Sequence, residues 1–121
     1  MSTGRQNGAL GAYGERVAAR HLVEHGMVVL DRNWRCGLGE IDLVLREGEE
    51  LVFCEVKTRS GTAYGHPLEA VDDVKADRLV HLASRWMEER GVTAAQVRFD
   101  VVAVIRSDRG AATVEHVRGL G

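Results

Sequence analysis

The spacing of apolar positions changes several times along the chain, and each change marks an element. Leu10, Tyr13, Gly14, Val17 and Ala18 recur at helical spacing, which predicts an amphipathic helix over residues 9–25 stopped by Gly26. Met27 to Asn33 reads as a short strand. Beyond a loop containing Gly37 and Gly39, residues Glu40 to Arg46 alternate in strand fashion, and Leu51 to Thr58 alternate again. Asp72 to Arg90 reads as a second helix, capped by Asp72 and ended by Gly91, with Leu79, Val80, Ala83, Trp86 and Met87 as its buried stripe. The valine-rich segment Val97 to Ile105 predicts a strand buried on both faces, and a Ser-Asp-Arg-Gly turn leads to a last strand, Thr113 to Val117. The order α-β-β-β-α-β-β is that of a small α/β layer fold. With no internal repeat and no low-complexity linker, residues 1–121 are expected to form a single domain.

The two central strands are separated by Glu47-Gly48-Glu49-Glu50. A two-residue loop of Gly48 and Glu49 puts glycine first, as a type II′ turn requires, and pairs Glu47 with Glu50. Counting back from that pair sets Asp42 opposite Glu55 and Glu40 opposite Lys57. Directly opposed residues share a face, so Glu40, Asp42, Glu55 and Lys57 are expected to form a polar square. The other face (Ile41, Leu43, Leu45, Val52, Cys54 and Val56) is expected to be the core side. A one-residue slip would undo the square, because it would move Cys54 opposite Asp42.

Facing carboxylates destabilise a sheet, and a cation relieves them; two carboxylates about 5 Å apart at Cβ can share one ion. Oxygen-only ligands suit Mg²⁺ or Mn²⁺. With Lys57 on the same side, the square holds the groups that phosphodiester hydrolysis needs. A solvated Glu/Lys face with ordinary cross-strand pairs is the alternative reading of the same pattern.

Composition narrows the field. The chain is 45% apolar and 28% charged, the profile of a globular domain. Its longest apolar run, Val101 to Ile105, is far too short to cross a bilayer, and residues 1–11 lack an apolar signal core. A cytoplasmic protein with no membrane partner is therefore expected. Cys36 and Cys54 cannot build a disulfide framework or a four-ligand zinc site, and the five histidines lack zinc-enzyme spacing. The net charge of −2 argues against attachment to nucleic acid by bulk electrostatics, but not against a nucleic-acid enzyme that uses divalent cations. Only two of the 16 basic residues are lysines, Lys57 and Lys75. Where arginine is the default, a retained lysine points to a site needing a compact ammonium.

Asp42 followed by Glu55-Val56-Lys57 on the next strand resembles the PD-(D/E)xK signature of restriction-endonuclease-like nucleases. The wider pattern resembles the YraN-like bacterial family, related to archaeal Holliday-junction resolvases. It comprises Gly14-Glu15, Arg32-Asn33, Gly39-Glu40-Ile41-Asp42, Phe53 to Arg59, Gly65, Ala70-Val71, Lys75 and Arg98-Phe99-Asp100, spread over about residues 8–105. Ile41 stands where the named signature has proline, as in the family's own G-E-I-D form.

The resemblance implies a restriction-endonuclease-like αβββαβ core with a central mixed sheet flanked by helices. It also implies a Mg²⁺- or Mn²⁺-dependent endonuclease acting on DNA, with branched or recombination intermediates as substrates. Asp42 and Glu55 would ligate the metal with the Val56 carbonyl, and Glu40 is a further candidate ligand. Lys57 would orient the attacking water and stabilise the transition state. Glu15 would complete the site from the first helix, through a metal-bound water or a second ion. Lys75, Arg59 and Tyr64 are candidate substrate contacts, and a homodimer would present the two sites that a two-stranded cut needs. The competing expectation is a catalytically silent nucleic-acid-binding or adaptor module on the same fold. Asp100 reads first as structural, a partner for Arg98 or Lys75, and Trp34 and Trp86 as core aromatics.

Overall fold

A computed structural model describes residues 8–61 and 73–119. It shows helix α1 (Ala9–Glu24), strands β1 (Val28–Cys36), β2 (Gly39–Glu47) and β3 (Glu50–Arg59), helix α2 (Asp73–Arg90), and strands β4 (Val97–Ile105) and β5 (Thr113–Val117). The five strands form one mixed sheet in sequence order. All neighbours are antiparallel except β3 and β4, whose parallel pairing is bridged by α2. This α/β arrangement, with one helix before three strands and one crossover helix after them, is consistent with a restriction-endonuclease-like core. No helix among the described residues is long and apolar enough to cross a membrane.

The central hairpin has the register that Gly48 dictates. Glu47 pairs with Glu50, and the ladder runs back to Leu43 opposite Cys54. Gly48 takes φ 60° and Glu49 does not share the left-handed region, which fits the type II′ turn. Strand β1 runs to Cys36, past its expected end at Asn33, because Trp34 and Cys36 join the core that α2 covers.

Both faces of the sheet are buried. On one, α1 lays Ala18, Ala19 and Leu22 over Leu43, Leu45, Val52, Cys54 and Val56. On the other, α2 lays Leu79, Leu82, Ala83 and Trp86 over Trp34, Ile41, Val44, Leu51 and Phe53. Leu82 therefore belongs to the buried stripe, whereas Val80, expected there, is 45% exposed. The run Val101–Val104 is buried throughout, as a strand sandwiched between two layers requires.

The α2 face reveals a departure from simple alternation. Ile41 and Val44 both pack on it, although residues three apart on a regular strand face opposite ways. Strand β1 does the same: Trp34 packs there, and Asp31 points there to accept a hydrogen bond from Trp86 Nε1 at 2.9 Å. The register pairs Asp31 with Val44 and Trp34 with Ile41, so both strands shift phase at the same row. That row holds Asn33, which by the flanking pairs lies across from Asp42. Asn33 has φ 52°, the one non-glycine among the described residues in the left-handed region. Asparagine tolerates that backbone better than most residues, and it turns the strand by the missing half-step.

Candidate functional site

The phase shift decides what surrounds Asp42. Counted from Val44 its side chain belongs to the α2 face; counted from Ile41, to the α1 face. It does neither cleanly, and instead reaches across to β3, where the Val56 N–H donates to Asp42 Oδ2 at 2.8 Å. The carboxylate thus takes the place of a ladder carbonyl just where the β2–β3 pairing gives out beyond Leu43 and Cys54. Val56 itself stays in the parallel ladder opposite Val102.

Three carboxylates act on Asp42 from different elements. Glu55 and Lys57 alternate with Val56 and so lie on the α2 face of β3, where Lys57 Nζ meets Glu55 Oε1 at 3.1 Å. Lys57 is 4% exposed, an ammonium largely removed from water. Glu15 approaches from α1. That helix can come close because Gly14 has no side chain: a Cβ there would lie 1.9 Å from Thr58 Oγ1. Asn33 Nδ2 donates to Glu15 Oε1 at 3.0 Å. Burial pushes the Asp42 carboxyl up to about 7; the Val56 hydrogen bond opposes the rise, and the charges of Glu15, Glu55 and Glu40 add to it.

The expected square is therefore only partly assembled. Asp42 and Glu55 approach each other at the splayed end of the central hairpin, with Lys57 tied to Glu55 and Glu15 arriving from the helix. Glu40 departs from expectation. On the side opposite Ile41 it pairs with Arg35 at 3.2 Å rather than with Lys57, which bonds Glu55, while its charge still acts on Asp42. Ile41 likewise leaves the apolar set of Leu43 and joins the α2 core. Neither face of the hairpin is a solvated Glu/Lys surface, since helices cover both.

Of the candidate substrate contacts, Arg59 is half-buried at the end of β3, and its Nη1 donates to Thr58 O at 3.2 Å. Tyr64 lies outside the described residues. Lys75 falls in the first turn of α2, its side chain outside the described set. Asp100 is structural, as expected. It is fully buried, and the Arg98 fork donates to its two oxygens at 2.8 and 2.9 Å.

Asp42 Oδ1 is buried and has no hydrogen-bond partner among the described residues. Leaving a buried carboxylate oxygen unpaired is costly unless a proton or cation satisfies it. The surrounding donors are carboxylate oxygens, which suit hard divalent ions. No group of three or more His, Cys, Asp or Glu among the described residues forms a ready-made cage. The residues fit an ion that keeps several waters and takes one or two carboxylates, as Mg²⁺ does.

The family model described as "Uncharacterised protein family UPF0102" matches residues 14–104. The chain belongs to this family. A UPF0102 protein of Nocardioides sp. (strain ATCC BAA-499 / JS614) is 62% identical over 113 residues, covering 93% of this chain and 91% of the relative. Another, from Beutenbergia cavernae, is 59% identical over 117 residues, 97% of this chain and 99% of the relative. The Streptomyces coelicolor relative is 55% identical over 115 residues, 93% and 88% respectively. The UPF0102 match begins at Gly14 itself and spans Glu15, Asn33, Asp42, Glu55, Lys57 and Asp100, but stops short of His116.

Two features of this UPF0102 chain escaped the period-based reading. One is the Asn33–Glu15 contact, for which the signal was an asparagine as the last residue of a predicted strand, a residue type depleted there. The other is a cleft of about 230 Å³ beside Glu15, lined by Ala12, Arg16, Arg32, Asn33 and Leu43. It opens on the α1 side of the sheet and brings two exposed guanidiniums to the edge of the acidic site.

Proposed function

We propose that this protein is a metal-dependent nuclease that hydrolyses phosphodiester bonds of DNA, with branched or recombination intermediates as the substrate class. The observation that carries the reading is the Asp42 carboxylate: buried, with one oxygen unpartnered among the described residues, and surrounded by negative neighbours beside a buried lysine. A fold has little use for such an arrangement, whereas a cation and a phosphate would satisfy it. Asp42 and Glu55, with the Val56 carbonyl, would hold Mg²⁺ or Mn²⁺, which lowers the pKa of bound water and neutralises phosphate charge.

The chain's own groups divide the remaining work. Lys57 Nζ, held by Glu55, presents N–H donors to a non-bridging phosphate oxygen as its charge grows. Glu15 keeps negative charge on the α1 side of Asp42 and orients water by accepting its hydrogen bond. The amide of Val56 fixes Asp42 Oδ2 and leaves Oδ1 to face the ligand. DNA is the proposed partner, and a homodimer would place two such sites for a two-stranded cut.

The test is cleavage of branched, flapped, single-stranded and duplex DNA with Mg²⁺ or Mn²⁺, alongside Asp42→Ala and Lys57→Ala. Each substitution is expected to lower cleavage by about 100-fold or more, the usual cost of removing a transition-state electrostatic group. Unchanged cleavage in both variants refutes the site. Metal-independent binding with a steep salt dependence and no turnover on any substrate would mark a silent binding module instead.

A further inference from the structure

We infer that Asn33 is a positioning residue for Glu15: its side-chain amide holds the Glu15 carboxylate against Asp42, and the left-handed turn of β1 brings the amide there. This inference rests on the reading of Glu15 and Asp42 as parts of one site.

Regular alternation would send residue 33 to the α2 face, the side on which Asp31 meets Trp86. The φ of 52° shifts the phase, so that Asn33 turns towards α1 and its Nδ2 lies 3.0 Å from Glu15 Oε1. The same shift leaves Asn33 across from Asp42 in the β1–β2 ladder. One residue therefore stands beside both acids, on a strand locked on either side by the Arg32–Leu43 and Trp34–Ile41 pairs.

The need for such a device follows from charge. Glu15 repels Asp42, so turning its flexible side chain towards a second carboxylate has a cost that the Asn33 hydrogen bond offsets. A lysine or arginine at position 33 would hold Glu15 but cancel the charge that attracts a cation. A neutral N–H donor holds the carboxylate and leaves its charge intact. The backbone narrows the choice further. Among the small residues that accept a left-handed φ, glycine has no donor and aspartate would add repulsion. Asparagine meets both demands.

The test is a double-mutant cycle on the full chain, with Mn²⁺ binding read by titration calorimetry and thermal midpoints measured in parallel. Asn33→Gly keeps the left-handed backbone and removes the amide. It is expected to weaken Mn²⁺ binding by about tenfold, as loss of a ligand-orienting hydrogen bond does. In a Glu15→Gln background the same change is expected to have less than a twofold effect. An equal effect in both backgrounds, or none in either, overturns the positioning role.

Asn33→Asp combined with Glu15→Gln exchanges donor and acceptor. The pair is expected to recover the thermal midpoint that Asn33→Asp alone loses; no recovery counts against the contact. The site reading is checked separately by Asp42→Asn. If that variant binds Mn²⁺ as tightly as the wild type, the site itself fails. If it loses binding while Asn33→Gly does not, only the positioning role fails.

Discussion

Asp42 and Asp100 lie two strands apart, on β2 and β4, and both are removed from water, yet their surroundings drive them in opposite directions. Burial would raise Asp100 too. Hydrogen bonds from His116, Arg98 and the Gly119 N–H outweigh it and hold this carboxyl well below the usual carboxylate range. Arg98 extends the network to Glu47 and Glu50 at 2.7 and 2.9 Å, and Arg118 closes on Glu47. Asp100 thus ties β4, β5 and the central hairpin together with each oxygen satisfied. Among the described residues, Asp42 has a single donor for its two oxygens and acids for neighbours. Buried charges that serve the fold are paired, whereas one kept unpaired at a stability cost marks a place where something else binds.

The contrast can be broken most forcefully at Asp100. Asp100→Ala removes the buried partner of Arg98 and His116, leaving Arg98 only Glu47 and Glu50, and is expected to cost about 3–5 kcal/mol in urea denaturation. A loss under 1 kcal/mol would show the network to be ornamental. Asp42→Asn should do the reverse and raise metal-free stability at pH 8 by about 2 kcal/mol, since it removes a carboxylate folded in an unfavourable state.

The pH profile follows from the same difference. The folded Asp42 carboxyl titrates at about 7, above its unfolded value, so the folded state keeps a proton that the unfolded chain has already lost. Stability of the metal-free protein should therefore fall as pH rises from about 4 to about 7. Asp42→Asn should flatten that window, as should saturating Mg²⁺; an unchanged slope would contradict the reading. Asp100 has the opposite sign: its contribution is present above its unfolded pKa and is lost only in acid.

The smallest effect is expected at the rim of the Asp100 network. Glu47 is lowered by hydrogen bonds from Arg118 and Arg98 but is half-exposed, so Glu47→Gln should cost about 1 kcal/mol or less.

Much of the fold was legible because local rules and tertiary structure agree. Gly48 set the hairpin register, and with it the approach of Asp42 to Glu55. Val97 to Ile105 announced a doubly buried strand, and of the two partners expected for Asp100, Arg98 or Lys75, the structure shows Arg98. The misplacement of Glu40 and Ile41 has one physical source. Period-two counting assumes a constant phase, and the phase changes at the row of Asn33 and Asp42. Isoleucine suits either core, so its identity could not reveal the change. The approach of Glu47 and Glu50 to Arg98 depends on the parallel β3–β4 register, which no turn residue encodes, and that of His116 to Asp100 on the antiparallel β4–β5 register.

The shared half-step in β1 and β2 also ties the lengths of two segments together. Removing one residue between Asp31 and Trp34 alone would leave the neighbouring strand out of step and expel the indole of Trp34 from its packing. An equal deletion between Ile41 and Val44 would restore the match while erasing the kink that lifts Asp42 out of the pleat. Spacer length at these two places is thus a joint quantity, and the acidic pocket exists only while both strands carry the same irregularity.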